Sequence, residues 1–233
     1  RAGAVAVWGR RAGSDLLKQV SLAGDLPLLR VEDGFIRSVG LGADLVEPIS
    51  WVVDTTGMYY DATRPSDLEG LLAAGSRSDP ERLRSAALRR RLVEQSITKY
   101  NLSAEPWHRP IDAERVVLVV GQVETDASIR FGAPGIRTNL GLLKAVRAAE
   151  PDAYIVYKPH PDVGAGLCRP GEGEQSTASC CDAVLTSGSI QQLFTQVDVL
   201  HVLTSLAGFE ALLRGLEVHC WGLPFYAGWG LTR

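Results

Sequence analysis

The chain has 233 residues, 45% of them hydrophobic and 22% charged, with a net charge of −3. This composition excludes a disordered, collagen-like or coiled-coil chain, and the slight negative charge gives no global field to draw it to nucleic acid. The longest apolar runs, residues 116–120 and 197–203, the latter broken by Asp198 and His201, fall far short of the ~20 residues of a membrane-spanning helix.

An apolar run over residues 4–8, broken by Gly9, reads as a first strand. The spacing of Leu16, Leu17 and Val20 predicts a helix with Ser14 as N-cap. A second apolar run, residues 27–31, feeds directly into Glu32-Asp33-Gly34, and residues 51–53 read as a short strand ending at Asp54. Helices are expected over 65–74, with Pro65 in the first turn, and from Pro80 to about Lys99. Residues 102–112 contain Pro106 and Pro110, show no period and read as a linker. The rhythm then restarts. Strands are expected over 115–120, 153–157, 183–185, 199–203 and 218–221, and helices over 139–149, 190–195 and 206–214. A polar, Gly-rich loop is expected over 164–179. Short apolar runs alternating with helices predict βαβ units on a parallel sheet. Two such halves predict a two-domain α/β enzyme, with Rossmann-like domains over 1–105 and 112–233 and a cleft between them.

Cys168, Cys180, Cys181 and Cys220 form no C-x-x-C pair, so a reduced, cytoplasmic chain without a zinc site is expected. Twenty of the 24 basic residues are Arg, which reads mainly as genomic base composition. Arg82, Arg84, Arg89, Arg90 and Arg91 give one helix a basic face, read as solvated surface, with anionic lipid as the alternative. The chain stops just past a loop rich in Gly and aromatics and reads as a piece of a longer product.

Polar clusters follow several predicted strands, where open parallel sheets bind ligands. Glu32 and Asp33 point to opposite sides if the strand persists, so one carboxylate can face the cleft as an acid or base; an Asp-Gly turn fits equally. Gln122, Asp126 and Ser128 follow the strand ending at Val120, with Arg130 beyond. A carboxylate there can act as a nucleophile on a sugar, or Asp126 and Ser128 can simply cap the next helix. Lys158 and His160 sit in a stiff Lys-Pro-His-Pro stretch with Pro161 and can both donate to a phosphate, or form a rigid surface loop. Thr204 and Ser205 open a helix whose free N–H groups suit an anion, with Glu210 placed to accept from ribose hydroxyls; an ordinary Ser205 cap is the alternative. Residues 221–230 offer aromatic faces, Tyr226 among them, for a base or sugar, or pack as an aromatic loop.

Taken together, these segments resemble the retaining β-Kdo glycosyltransferases of bacterial capsule assembly, the KpsC family (LipA/LipB in other nomenclature). Kdo is 3-deoxy-D-manno-oct-2-ulosonic acid. The resemblance runs from Val31 to Trp229. It rests on Glu32-Asp33-Gly34, His160-Pro161 and the Q-x-x-x-D-x-S pattern of Gln122, Asp126 and Ser128, with the flanking stretches VEDGFIRSVGLG and LPFYAGWGLT. It implies a GT-B-like fold and a CMP-β-Kdo donor, with Kdo passed with retention to a Kdo-terminated, lipid-linked acceptor. In that reading Asp126 is the nucleophile, Glu32 the acid/base, and His160 with Lys158 stabilises the leaving CMP phosphate. Ser205 and Glu210 hold phosphate and ribose. Arg37 and Arg130 are candidates for the Kdo carboxylate by their chemistry alone. No metal or other cofactor is expected. Family chains often carry two catalytic domains and work at the inner face of the cytoplasmic membrane, so a second domain and peripheral membrane association are implied. Two other readings stay open. One is an inverting, sialyltransferase-like enzyme with Glu32 or Asp33 as base. The other is a sugar-nucleotide epimerase or a non-catalytic nucleotide-binding module.

Overall fold

The computed structural model describes residues 3–9, 14–41, 44–75, 77–102 and 106–233. The N-terminal part opens with β1 (Val5–Trp8), α1 (Ser14–Gly24) and β2 (Leu28–Asp33), followed by β3 (Trp51–Asp54). Strands β1 and β2 are parallel, as a βαβ unit requires, but β3 pairs antiparallel with β2, with Val31 opposite Val53 and Asp33 opposite Trp51. This corrects the expectation of a wholly parallel N-terminal sheet. The chain returns from β2 to β3 as its antiparallel neighbour, and the Gly34 N–H extends the pairing by donating to Ser50 O at 2.8 Å. Ser14 is the first residue of α1 rather than its cap; the residues before it lie outside those described.

Helices α2 (Asp67–Ala73) and α3 (Asp79–Glu94) follow. Ser66, not Pro65, begins the first of them: its hydroxyl accepts from Glu69 N at 3.1 Å. Helix α3 starts in a capping box of Ser78 and Glu81 and ends well before Lys99, with Ser96 at φ +57° taking the chain off the helical path. Residues 97–102 then run as an irregular strap. Of the expected linker, residues 103–105 lie outside the described residues and 106–112 hold no helix or strand.

The C-terminal part carries β4 (Val116–Val120), α4 (Ala127–Gly132), α5 (Asn139–Ala149), β5 (Tyr154–Lys158), α6 (Pro161–Gly164), β6 (Ala183–Val184), α7 (Ile190–Leu193), β7 (Val199–Val202), α8 (Leu206–Leu213) and β8 (Glu217–Cys220). Its five strands run in the order β6-β5-β4-β7-β8, all parallel. Every residue of β4 is buried. Val116, Leu118 and Val120 pack with Leu193 of α7 and Ala207 and Ala211 of α8. Val117 and Val119 pack on the other face with Ile129 of α4 and Leu142, Leu143 and Val146 of α5. A central strand sandwiched by helices must be apolar at successive positions, which is why residues 116–120 read as an unbroken run. The strand order reverses between β4 and β7, and that topological switch point is where such sheets open a ligand crevice. Among the described residues, no helix is long and apolar enough to cross a membrane.

Candidate active site

The carboxyl ends of β2, β4, β5 and β7 border a cleft of about 590 Å³ lined by residues of both sheets. On the N-terminal wall, β2 continues through Glu32 and Asp33, past the end expected at Val31, and both carboxylates line the cleft. Their surroundings differ sharply. Asp33 Oδ2 accepts from Arg37 Nε at 2.6 Å. Arg37 is buried, its Nη1 also donating to Ser38 Oγ and to Val46 O. It lines the cleft as a structural brace, not as a free cation.

Glu32 has no ion pair among the described residues. A side-chain carbon at Gly9 would stand 3.0 Å from its Oε2 and 3.1 Å from Tyr60 Oη, so the bare backbone of Gly9, at φ +56°, makes room for the carboxylate. Burial pushes the Glu32 pKa up, the Asp33 N–H pulls it down, and the negative charges of Asp33 and Asp126 add to the rise. Asp126 thus acts electrostatically on Glu32 within one cleft. Burial also raises the neighbouring Tyr59 phenol to about 12.

On the C-terminal wall, Gln122 spans the switch point. Its Oε1 accepts from Thr204 N at 2.9 Å and its Nε2 donates to Thr204 Oγ1 at 3.0 Å, locking the end of β4 to the end of β7. Asn139 clamps the Gln122 peptide on both sides, accepting its N–H at 2.9 Å and donating to its carbonyl at 3.0 Å. Asp126 caps α4, with Oδ1 accepting from Ser128 N at 2.7 Å. Ser128 lines the cleft beside it.

At the end of β5, Lys158 is 8% exposed; its carbonyl accepts from Gly121 N at 2.8 Å, while its ammonium has no hydrogen bond or ion pair among the described residues. Burial alone lowers its pKa. His160 caps the short α6, its Nδ1 accepting from Asp162 N at 3.2 Å, so that Nε2 carries the proton. Burial pulls its pKa down against the opposing charge of Asp162. A neutral imidazole donor and a desolvated ammonium therefore stand side by side. Pro161 completes this part of the wall. Ser205 caps α8 through Ala207 N at 3.2 Å. Glu210 lines the same wall, but its Oε1 accepts from Lys99 N at 2.6 Å. Burial raises its pKa to about 7, against the Lys99 N–H and the charges of Arg214 and Lys99.

Two expected residues are not brought to the cleft. Arg130 is exposed, with its guanidinium 5.2 Å from the centroid of the Phe131 ring. Tyr226 is buried beneath α8, donating to Ser205 O, and Phe225 stacks on Phe35 at 5.0 Å. These rings pack the joint between the halves. They leave only an edge of Phe225 and Pro224 on the cleft wall.

The sequence reading missed Lys99, Tyr59 and Tyr60, and Ser189 beside the turn at Gly188, all of which line the cleft. One signal could have found Lys99. The chain has just four lysines among its 24 basic residues. Lys18 and Lys144 are exposed, whereas Lys99 and Lys158 both line the cleft. Among the described residues no group of three His, Cys, Asp or Glu side chains is arranged to hold a metal ion.

Residues 3–102 and 81–233 match a family described as capsule polysaccharide biosynthesis protein. The chain belongs to this family. It is 44% identical over 229 residues to the capsule polysaccharide modification protein LipA of Neisseria meningitidis serogroup B, covering 98% of this chain and 32% of LipA. It is 41% identical over 219 residues to the lipopolysaccharide-processing protein LpsZ of Rhizobium meliloti, covering 92% of this chain and 50% of LpsZ. The chain thus spans about a third of one curated relative and half of the other. Two solved structures of Thermosulfurimonas dismutans KpsC share the fold. The beta Kdo 2,4 transferase superposes with a TM-score of 0.86 at 35% identity, over 99% of this chain and 72% of that one. The beta Kdo 2,7 transferase gives 0.76 at 42% identity, over 97% and 67%.

Proposed function

We propose that this capsule-family chain is a retaining β-Kdo transferase of GT-B-like architecture, using CMP-β-Kdo as donor and a Kdo-terminated, lipid-linked acceptor. The observation that carries this reading is the meeting of Glu32, Asp126, His160 and the unpaired Lys158 on one cleft between the two sheets. The family match and the likeness to the two KpsC transferases support it. CMP sits against the switch point, its phosphate at Lys158, His160 Nε2–H and the start of α8. The Asp126 carboxylate attacks the anomeric carbon, the bond to the phosphate oxygen breaks, and CMP leaves with its charge stabilised by Lys158 and His160. The acceptor hydroxyl then displaces Asp126 from the Kdo ester while Glu32 takes its proton. A carboxylate with a raised pKa suits that second step better than Asp33, which is occupied by Arg37. Association with the inner face of the cytoplasmic membrane and a second catalytic domain in the full protein belong to the same proposal.

Asp126's hydrogen bond to Ser128 N favours one competing reading, in which Asp126 only caps α4 and Glu32 activates the acceptor for direct, inverting attack. Intact mass spectrometry after incubation with CMP-Kdo decides between them. Retention predicts an adduct of one Kdo on the wild type that is lost in Asp126→Ala. An adduct that persists in Asp126→Ala, or a product of inverted configuration by NMR, would remove Asp126 as nucleophile. Turnover of CMP-Kdo without transfer to any Kdo-terminated acceptor would favour the epimerase or binding-module reading instead.

A further inference from the structure

Three side chains with a permanent or near-permanent positive charge line the cleft: Arg37, Lys99 and Lys158. Arg37 is held by Asp33, Ser38 and Val46. Lys158 stands at the end of β5 beside the first turn of α6, on the wall that would take the donor phosphate. Lys99 comes from the strap, and its backbone is fixed from both halves. Its carbonyl accepts from Arg37 N at 2.9 Å and from Ser38 N at 3.2 Å, and its N–H donates to Glu210 Oε1 at 2.6 Å. The ammonium lies 5.1 Å from the centroid of the Tyr100 ring and makes no ion pair within 4.0 Å among the described residues. Lys99 lines the cleft together with Glu32, Tyr59, Asp126 and His160, and its charge acts on Glu32, Tyr59 and His160 alike.

A 2-ulosonic acid sugar presents two distinct anionic features when activated: the phosphate on its anomeric carbon, and a carboxylate on that same carbon. Bringing it into this cleft adds a carboxylate to a space already lined by Glu32, Asp33 and Asp126. Like charges so close are unfavourable unless a cation stands between them. The phosphate side already has Lys158 and His160. The remaining cation is Lys99, whose ammonium is hydrogen-bonded to Tyr100 and makes no ion pair within 4.0 Å among the described residues, and a lysine, a compact charge with rotatable donors, can meet a single carboxylate without bidentate geometry.

We propose that Lys99 is the residue that binds the carboxylate of the acidic sugar, and so selects a ulosonate over a neutral sugar. This rests on the Kdo-transferase reading. The carboxylate belongs either to the donor Kdo or to the terminal Kdo of the acceptor, and kinetics separate the two.

The test uses the full chain with Lys99→Met, which keeps the bulk and removes the charge, and Lys99→Arg, which keeps the charge. CMP affinity is measured by calorimetry, and KM is measured separately for CMP-Kdo and for a Kdo-terminated acceptor. For Lys99→Met, CMP affinity should stay within about twofold of wild type, which also reports an intact fold. One of the two KM values should rise about 10- to 100-fold, as expected for a lost charged hydrogen bond. Lys99→Arg should recover part of that loss. A rise in the donor KM assigns the donor carboxylate, and a rise in the acceptor KM assigns the acceptor's. An equal loss of CMP affinity would overturn the proposal by placing Lys99 on the phosphate, and unchanged KM values would reduce it to a structural counter-charge. A wild-type chain that transfers no Kdo would overturn the underlying reading as well, and that failure appears before any variant is made.

Discussion

Glu32 and Asp33 both line the cleft, and their chemistry differs because their partners differ. Asp33 meets Arg37, while Glu32 lies against the bare backbone of Gly9 and is desolvated by burial. If Glu32 is the base, kcat/KM must rise with pH as it loses its proton, and burial moves that limb above the ordinary carboxylate range. Glu32→Gln should lower kcat by roughly 10²- to 10⁴-fold, and the limb of the residual activity should move to lower pH. A limb that does not move on substitution would take Glu32 out of this role. Asp126, Lys158 and His160, at or beyond the carboxyl ends of β4 and β5, were legible in the sequence, because an apolar run followed by polar residues marks a strand's carboxyl end. Lys99 was not. Its place in the cleft depends on hydrogen bonds to Arg37, Ser38 and Glu210, all far from it along the chain.

At the level of the element, α8 shows how one residue without a side chain supports the site. Tyr226 crosses the first turn of α8 to donate to Ser205 O, and a side-chain carbon at Gly208 would stand 2.2 Å from its hydroxyl oxygen. Alanine favours a helix over glycine by about 1 kcal/mol, so Gly208→Ala would stabilise a free α8. Here it must displace a buried ring. We expect a net loss of about 1–3 kcal/mol, as for other overpacked cores, with weaker CMP binding because Ser205 shifts with its support. Chemical denaturation and calorimetry check both effects, and a stabilised variant would show that Tyr226 has room to move. The strands and helices of the C-terminal sheet were legible because a strand buried on both faces is apolar throughout. The direction of β3 was not, since a run of four residues says nothing of which way its neighbour runs; the return through Gly34 and Ser50 decides that. Helix α4 was hidden by its shortness, six residues with polar ones at its start, although capping by Asp126 was visible as an alternative.

At the level of the whole molecule, the two sheets are joined on either side of the cleft. On one side Phe35 stacks on Phe225, with Tyr59 and Phe209 around them. On the other, α8 holds the strap: Glu210 takes the Lys99 N–H, and Arg214, one turn on, donates to Ile97 O at 3.0 Å. The strap in turn holds Arg37, Ser38 and Gly40 through the carbonyls of Lys99 and Tyr100. Glu210 is thus a mechanical link between the halves, and an expensive one when charged. Its pKa is 4.5 in an ordinary setting and about 7 in the fold, chiefly because of burial. Between those values the folded state binds the proton more tightly than the unfolded chain, so stability falls as pH rises through that window. Above it the full penalty applies, with a ceiling of about 3 kcal/mol. Glutamine keeps an acceptor for the Lys99 N–H and carries no charge. Glu210→Gln should therefore match wild type at pH 5 and exceed it at pH 8, each kcal/mol regained raising the melting temperature by roughly 2–4 °C. A variant that is less stable at pH 8 would mean that attraction to Arg214 and Lys99 outweighs burial, and that the halves are held together by ionised Glu210.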